Sequence, residues 1–202
     1  MRIMDINTNY RTITREQFLF NEMRIVAKMM CQGKSNEQIL EEVVTNNLFQ
    51  YPTERMIDNL CKVCLSRFHA ADSNELVDIV ANSPSDVAKQ ACLYLMMNYY
   101  RIVWDFMITV IGEKYRTKDM SFTRMDMNSF FTRMQEQNDI VASWSEATIT
   151  KSKQVLRKLL VENGYLDNTK SEVLNPVLID FSIKDAIEHM GDKEALIAFG
   201  CM

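Results

Sequence analysis

Glycine and proline are scarce in this chain, at 5 and 3 of 202 residues. Few breakers and many unbranched apolar side chains favour helices over sheets. The glycines are isolated and far apart, which excludes a phosphate-cradling glycine loop. Histidine is scarcer still, at two. His69 and His189 fall at predicted helix ends, where they favour the C-terminal dipole. Neither stands at a spacing from cysteine, serine or carboxylate that would build a nucleophilic site. Carboxylate pairs such as Glu41–Glu42 fit solvated helix faces. No catalytic residue, no cofactor and no metal site is expected, and the chain is not expected to be an enzyme.

The five cysteines are an odd number. Cys61, Cys64 and Cys92 lie inside apolar helical patterns. Cys61 and Cys64 match C-x-x-C only formally, because no second pair accompanies them and no strand precedes them. The N-terminus is polar and lacks the apolar core of a secretory signal. A reduced, cytoplasmic setting is the expectation. A long uninterrupted apolar run is missing as well. Ala91 to Ile111 approaches the length a bilayer requires, but Arg101 and Asp105 interrupt it four residues apart, where an intrahelical pair forms. A buried helix is expected there, with no membrane partner.

What is present is material for a core: 47% of residues are hydrophobic, 25% charged, and methionine reaches 15. Methionine fills irregular gaps between helices. The net charge of -4 excludes a uniformly basic coat. It leaves room for a local basic face. Lys114, Arg116, Lys118, Arg124 and Arg133 stand against Asp119 and Asp126, and Lys151, Lys153, Arg157, Lys158 and Lys170 against Glu146, Glu162 and Asp167.

Periodicity predicts an all-α fold with a helix over 15–32, capped by Thr14, and a second opened by the capping box of Ser35 and Gln38. A third follows Thr53. A fourth starts from Asp72 and Glu75, and the helical signal from Ser83–Pro84 runs to a stop at Gly112. All five glycines fall at predicted helix ends. The polar, basic stretch 114–122 suggests a boundary, giving an N-terminal helical bundle over 1–117 and a C-terminal winged helix-turn-helix-like part over 118–202. In the second part, Thr123 with Asp126 caps one helix and Asn138–Asp139 opens a short turn. Ser145 caps a long helix to Asn163, and Ser182 with Asp185 caps the last. A short β-hairpin pairing Tyr165–Leu166 with Val173–Leu174 is expected as the wing, irregular because its tip lacks glycine.

At 100° per residue, the long helix buries Ile149, Val155, Leu156, Leu159 and Leu160. Its opposite arc carries Thr150, Lys151, Gln154, Arg157 and Lys158, with Lys153 on the flank. Hydroxyl, amide and guanidinium groups of this kind reach base edges and phosphates in a major groove. The candidate DNA-binding set is therefore Thr150, Lys151, Gln154, Arg157, Lys158, Lys170, Arg124 and Arg133. A solvated basic face of a protein–protein module would look the same from this stretch alone.

Three stretches carry a family resemblance: NEMRIVAKMMCQGKSNEQI leading to NNLFQYPTERM, the aromatic pair in MDMNSFFTRMQEQ, and WSEATITKSKQVLRKLLVENGYL followed by NPVL and IEHMGDKEALIAFG. Through them the chain resembles the BrxA family, the small helical component of bacteriophage exclusion (BREX) defence systems. The resemblance implies a non-catalytic accessory that binds double-stranded DNA beside other BREX proteins, namely a methyltransferase, an ATPase and a phosphatase-like component. It also implies similarity to the NusB antitermination fold, which would favour RNA or protein partners. The alternative is thus an adaptor, docking through an apolar patch around Leu48, Phe49 and Tyr51.

Overall fold

The computed structural model describes residues 10–15 and 17–201. The polar N-terminal stretch 1–9 and Glu16 of the expected first helix lie outside the described residues. Eleven α-helices, one π-helical and one 3-10 segment make up the regular structure among them, with no strand longer than a single bridge. The fold is all-α, as the scarcity of breakers implies. The chain divides into two compact units, one over 18–99 and one formed by 10–17 with 100–201. The expected boundary at 117–118 falls inside the second of these.

In the contiguous unit, α1 (Phe20–Cys31), α2 (Asn36–Thr45), α3 (Glu54–Ala71), α4 (Asn74–Asn82) and α5 (Ser85–Tyr99) follow one another. Ser35 and Gln38 form the predicted capping box of α2, and Thr53 caps α3. Two starts differ from expectation. α1 begins at Phe20 rather than near Arg15, because Leu19 takes a left-handed conformation (φ 57°). The buried Arg67 guanidinium donates to the Phe18 carbonyl at 2.9 Å, which holds the chain at that bend. Asp72 ends α3 in a left-handed conformation, so Ser73 caps α4 in its place. α5 is buried almost all round, with Leu93, Tyr94, Leu95 and Met96 fully enclosed. Phe49 is only 8% exposed and Tyr51 hydrogen-bonds Glu22, so no open apolar patch forms where the adaptor surface was expected. Burial pushes the Cys61 and Cys92 thiols up to about 11 and 12 and raises Cys64 further, which suits packing rather than thiolate chemistry. Among the described residues no cluster of histidine, cysteine and carboxylate groups is arranged to hold a metal.

The second unit opens with Tyr10, whose hydroxyl donates to the buried Asp105 carboxylate. Asp105 also pairs with Arg101 at 2.9 Å, the expected intrahelical pair. The apolar stretch 91–111 is divided among α5, α6 (Arg101–Phe106) and a π-helical segment, Met107–Gly112. No helix among the described residues is long and apolar enough to cross a membrane. Gly112 does not stop the helix, which runs on through α7 (Glu113–Thr117). A Cβ at Gly112 would lie 2.5 Å from the Ile197 side chain, so glycine serves close approach there. The remaining elements are α8 (Arg124–Gln137), α9 (Asp139–Ala142), α10 (Glu146–Glu162), α11 (Phe181–His189) and the 3-10 segment Lys193–Phe199. Asp180, not Ser182, caps α11.

Candidate nucleic-acid interface

Three local devices set the frame of the site. Thr123 and Asp126 form the capping box that starts α8. Asn138 caps α9 through the amides of Ile140 and Val141, and Ser145 caps α10 through the Thr148 amide. Between α7 and α8 the chain is extended. Lys114 is buried to 8% exposure and lies 3.0 Å from Asp119 and 2.9 Å from Asp126, tying that segment to the start of α8. Burial alone would lower the Lys114 pKa, but its bonds to Asp126 and Asp119 outweigh it and the pKa rises. Asp119 is held down at about 2, first by the Ser121 hydroxyl and then by Lys114.

The extended segment is the partner that the expected hairpin lacked. Ser121 bridges Val173 antiparallel, the Phe122 amide donates to Glu172 at 2.8 Å, and the Leu174 amide donates to Met120 at 2.7 Å. The Tyr165 carbonyl accepts the Asn175 amide, at 2.9 Å. The predicted pairing of Tyr165–Leu166 with Val173–Leu174 is thus replaced by pairing to a segment before α8. Asn168 closes the turn without glycine, its side chain accepting the Lys170 amide at 2.9 Å while its carbonyl accepts the Ser171 amide at 3.1 Å.

α10 buries Ile149, Ser152, Val155, Leu156, Leu159 and Leu160, the predicted stripe with Ser152 added. Gly164 (φ 76°) turns the chain at its end. The opposite face borders a groove of about 630 Å³ lined by Arg124, Met127, Asn128, Thr150, Lys153, Gln154, Arg157, Thr169, Lys170 and Glu172. Of the eight residues proposed from sequence, Arg124, Thr150, Gln154, Arg157 and Lys170 meet there. Lys151 and Lys158 are exposed on α10 but outside the lining. Arg133 lies elsewhere, donating to the Thr109 hydroxyl at 2.8 Å in a neighbouring recess.

Sequence reasoning left out Asn128 and Thr169, and placed Lys153 on the flank without counting it in the candidate set. Asn128 stands four residues after Arg124, so helical spacing alone places the two on one face. Lys153 donates to Asn128 at 2.7 Å and lies 5.6 Å from the centre of the Phe131 ring, joining α8 to α10. Arg157 donates to the Ser171 carbonyl and lies 5.3 Å from the centre of the Phe122 ring. Four cations therefore line the groove against the single carboxylate of Glu172. Hydroxyl and amide groups lie between them, so the groove offers an anion both charge and hydrogen bonds.

Fold and groove together define an all-helical protein with a cation-lined concave face bordered by one long helix. The BrxA family model matches residues 9–191, and the chain belongs to that family. Its relatives include a BREX protein BrxA of Bacillus cereus (strain H3081.97), 31% identical over 183 residues that cover 90% of each chain. Another, from Escherichia coli O9:H4 (strain HS), is 19% identical over 175 residues, 87% of this chain and 82% of the relative. The crystal structure of an uncharacterized protein from Magnetospirillum magneticum has the same fold, with a TM-score of 0.80 at 18% identity, covering 93% of this chain and 95% of that one.

Proposed function

We propose that this chain is a component of a BREX system that binds double-stranded DNA through the groove beside α10, without catalysis of its own. The stretch 118–202 carries the function as a winged-helix module. α10 is the recognition helix, and the tip around Lys170 is the wing. The supporting observation is the convergence of Arg124, Lys153, Arg157 and Lys170 from three separate segments onto one groove of an otherwise acidic protein. The order of segments, extended piece, α8, α9, α10 and returning tip, is the order in which winged helices present a helix to a major groove. Membership of the BREX system is inferred from the relatives' names, and a cytoplasmic setting follows from a DNA ligand. The other BREX proteins are then the partners that meet it on DNA.

Phosphate neutralisation makes binding steeply salt-dependent, with a log–log slope of about -0.9 per contact. A gel shift with mixed-sequence duplex across a salt series is expected to show it. The double variant Arg124→Glu, Lys170→Glu should lose the shift while keeping its helical circular dichroism. Both side chains are exposed, and a carboxylate is tolerated at the start of α8. Binding unchanged in that variant would remove the groove from consideration.

The adaptor reading has one observation of its own. Leu178 and Phe181, just before and at the start of α11, are 89% and 73% exposed. Co-purification with the neighbouring BREX proteins by a chain that ignores duplex in the same salt series would favour it. Preference for structured RNA over duplex in competition would favour the RNA alternative.

A further inference from the structure

Among the cations of the groove, Lys153 is engaged by Asn128 on α8, and Arg157 is engaged by the tip itself. One terminal nitrogen donates to the Ser171 carbonyl, the guanidinium carbon lies 5.3 Å from the centre of the Phe122 ring, and Nε is buried with no hydrogen-bond partner among the described residues. Phe122 is itself fully buried, edge-on to Phe106 with centroids 6.2 Å apart. Ser171 closes the tip, its hydroxyl accepting the Asn168 amide at 3.1 Å. Arg157 therefore joins α10 to the extended segment through a ring and to the tip through a carbonyl. The flanks of the tip are held by the Glu172 and Leu174 backbone bonds and by the Asn175 side chain on Asp167, and Arg157 adds the tie at Ser171 between them.

Resting on the duplex-binding reading above, we infer that Arg157 is a positioning residue that fixes the tip over α10 so that Lys170 lines the groove. It is not itself a phosphate contact. Lysine replaces it poorly in this role, because the planar fork reaches the Ser171 carbonyl from one terminal nitrogen while the rest of the group lies against the ring, whereas an ammonium is a single point charge on a flexible stem. Neutralisation of phosphate then falls to Arg124 and Lys170.

The test uses the full chain and the variants Arg157→Lys, Arg157→Met, Lys170→Ala and Arg157→Met with Lys170→Ala. Methionine keeps the apolar stem against Phe122, which protects folding. In the protein alone, hydrogen exchange at the Phe122, Ser171 and Leu174 amides should accelerate about tenfold or more in both Arg157 variants, from loss of a charge-assisted bond. Lys170→Ala should leave that exchange unchanged. With duplex, Arg157→Lys should bind about tenfold more weakly although it keeps its charge. Arg157→Met should cost affinity alone, yet add little to Lys170→Ala and leave that variant's salt slope as it is.

Additive losses, with a further fall of about 0.9 in the slope, would make Arg157 a direct phosphate contact and overturn the inference. Wild-type affinity in Arg157→Lys would overturn it too, as would unchanged exchange while the wild type binds. Failure of the wild-type chain to bind duplex at all overturns the function proposed above, and with it this role in recognition.

Discussion

A residue's chemistry is most legible where its partners are close in sequence. Ser35, Thr53, Thr123 and Ser145 each cap the helix that their spacing announces, because the amide they satisfy lies two or three residues on. Where two capping residues stand near each other, spacing cannot choose between them. At 72–73 the choice goes to Ser73 because Asp72 is taken up in ending α3, and at 180–182 it goes to Asp180. Asp119 supplies a test at this scale. Its pKa is drawn from 3.8 to about 2, by the Ser121 hydroxyl first and Lys114 next. A depressed carboxylate stabilises the folded state above its unfolded pKa and loses that contribution as pH falls through the folded one. Asp119→Asn should therefore lower the melting temperature relative to wild type at pH values above 3.8, with the gap closing toward pH 2. Thermal melts at stepped pH measure it, and a constant gap would show that the ion pairing is idle.

Elements were legible where they are amphipathic and opaque where they depend on distant chain. The buried stripe of α10 follows its 3.6-residue period, so the exposed face and half the groove could be named in advance. The partner of the expected hairpin could not, since the bridge from Val173 runs to Ser121 and no local pattern links them. The π-helical segment carries no sequence mark either, and Gly112 looked like a stop because glycine usually is one. Its actual role predicts a sign change. Gly112→Ala should destabilise by about 1–3 kcal/mol through overpacking against Ile197. On an Ile197→Ala background the clashing methyl is gone and the new Cβ meets the carbonyl of residue 197 at an ordinary contact distance of 3.4 Å. There it should become neutral or stabilising by up to about 1 kcal/mol, since alanine is the better helix former. Equal costs on both backgrounds in chemical denaturation would place the close approach elsewhere.

At the scale of the whole molecule, the polar stretch 114–122 looked like a boundary because charge usually marks solvent. It is instead an ordered segment, with Lys114 buried between two carboxylates. The compact units part at Tyr99–Tyr100, within an apolar run that offers periodicity no contrast. Tyrosine burial spread over both units predicts an alkaline limit to the fold. Tyr10, Tyr51 and Tyr115 are each pushed up to about 12, chiefly by burial, and Tyr165 is raised further. A folded pKa above the unfolded 10.0 keeps stability whole below pH 10 and erodes it as pH rises toward 12. Melting temperature should fall steeply across that window. The tyrosinate absorbance of these four residues should appear together with loss of helix rather than before it, and an absorbance step of that size ahead of unfolding would contradict their burial.

The division of the chain also orders its birth on the ribosome. Residues 18–99 form one unbroken stretch and hold all the elements of their unit, so that unit can close while the rest is still being translated. Residues 10–17 emerge earlier but belong with 100–201, and the Tyr10 hydroxyl meets Asp105 across a separation of 95 residues. That segment, made before the unit over 18–99, therefore finds its place after it. It must wait, exposed, until the stretch that holds it has been synthesised.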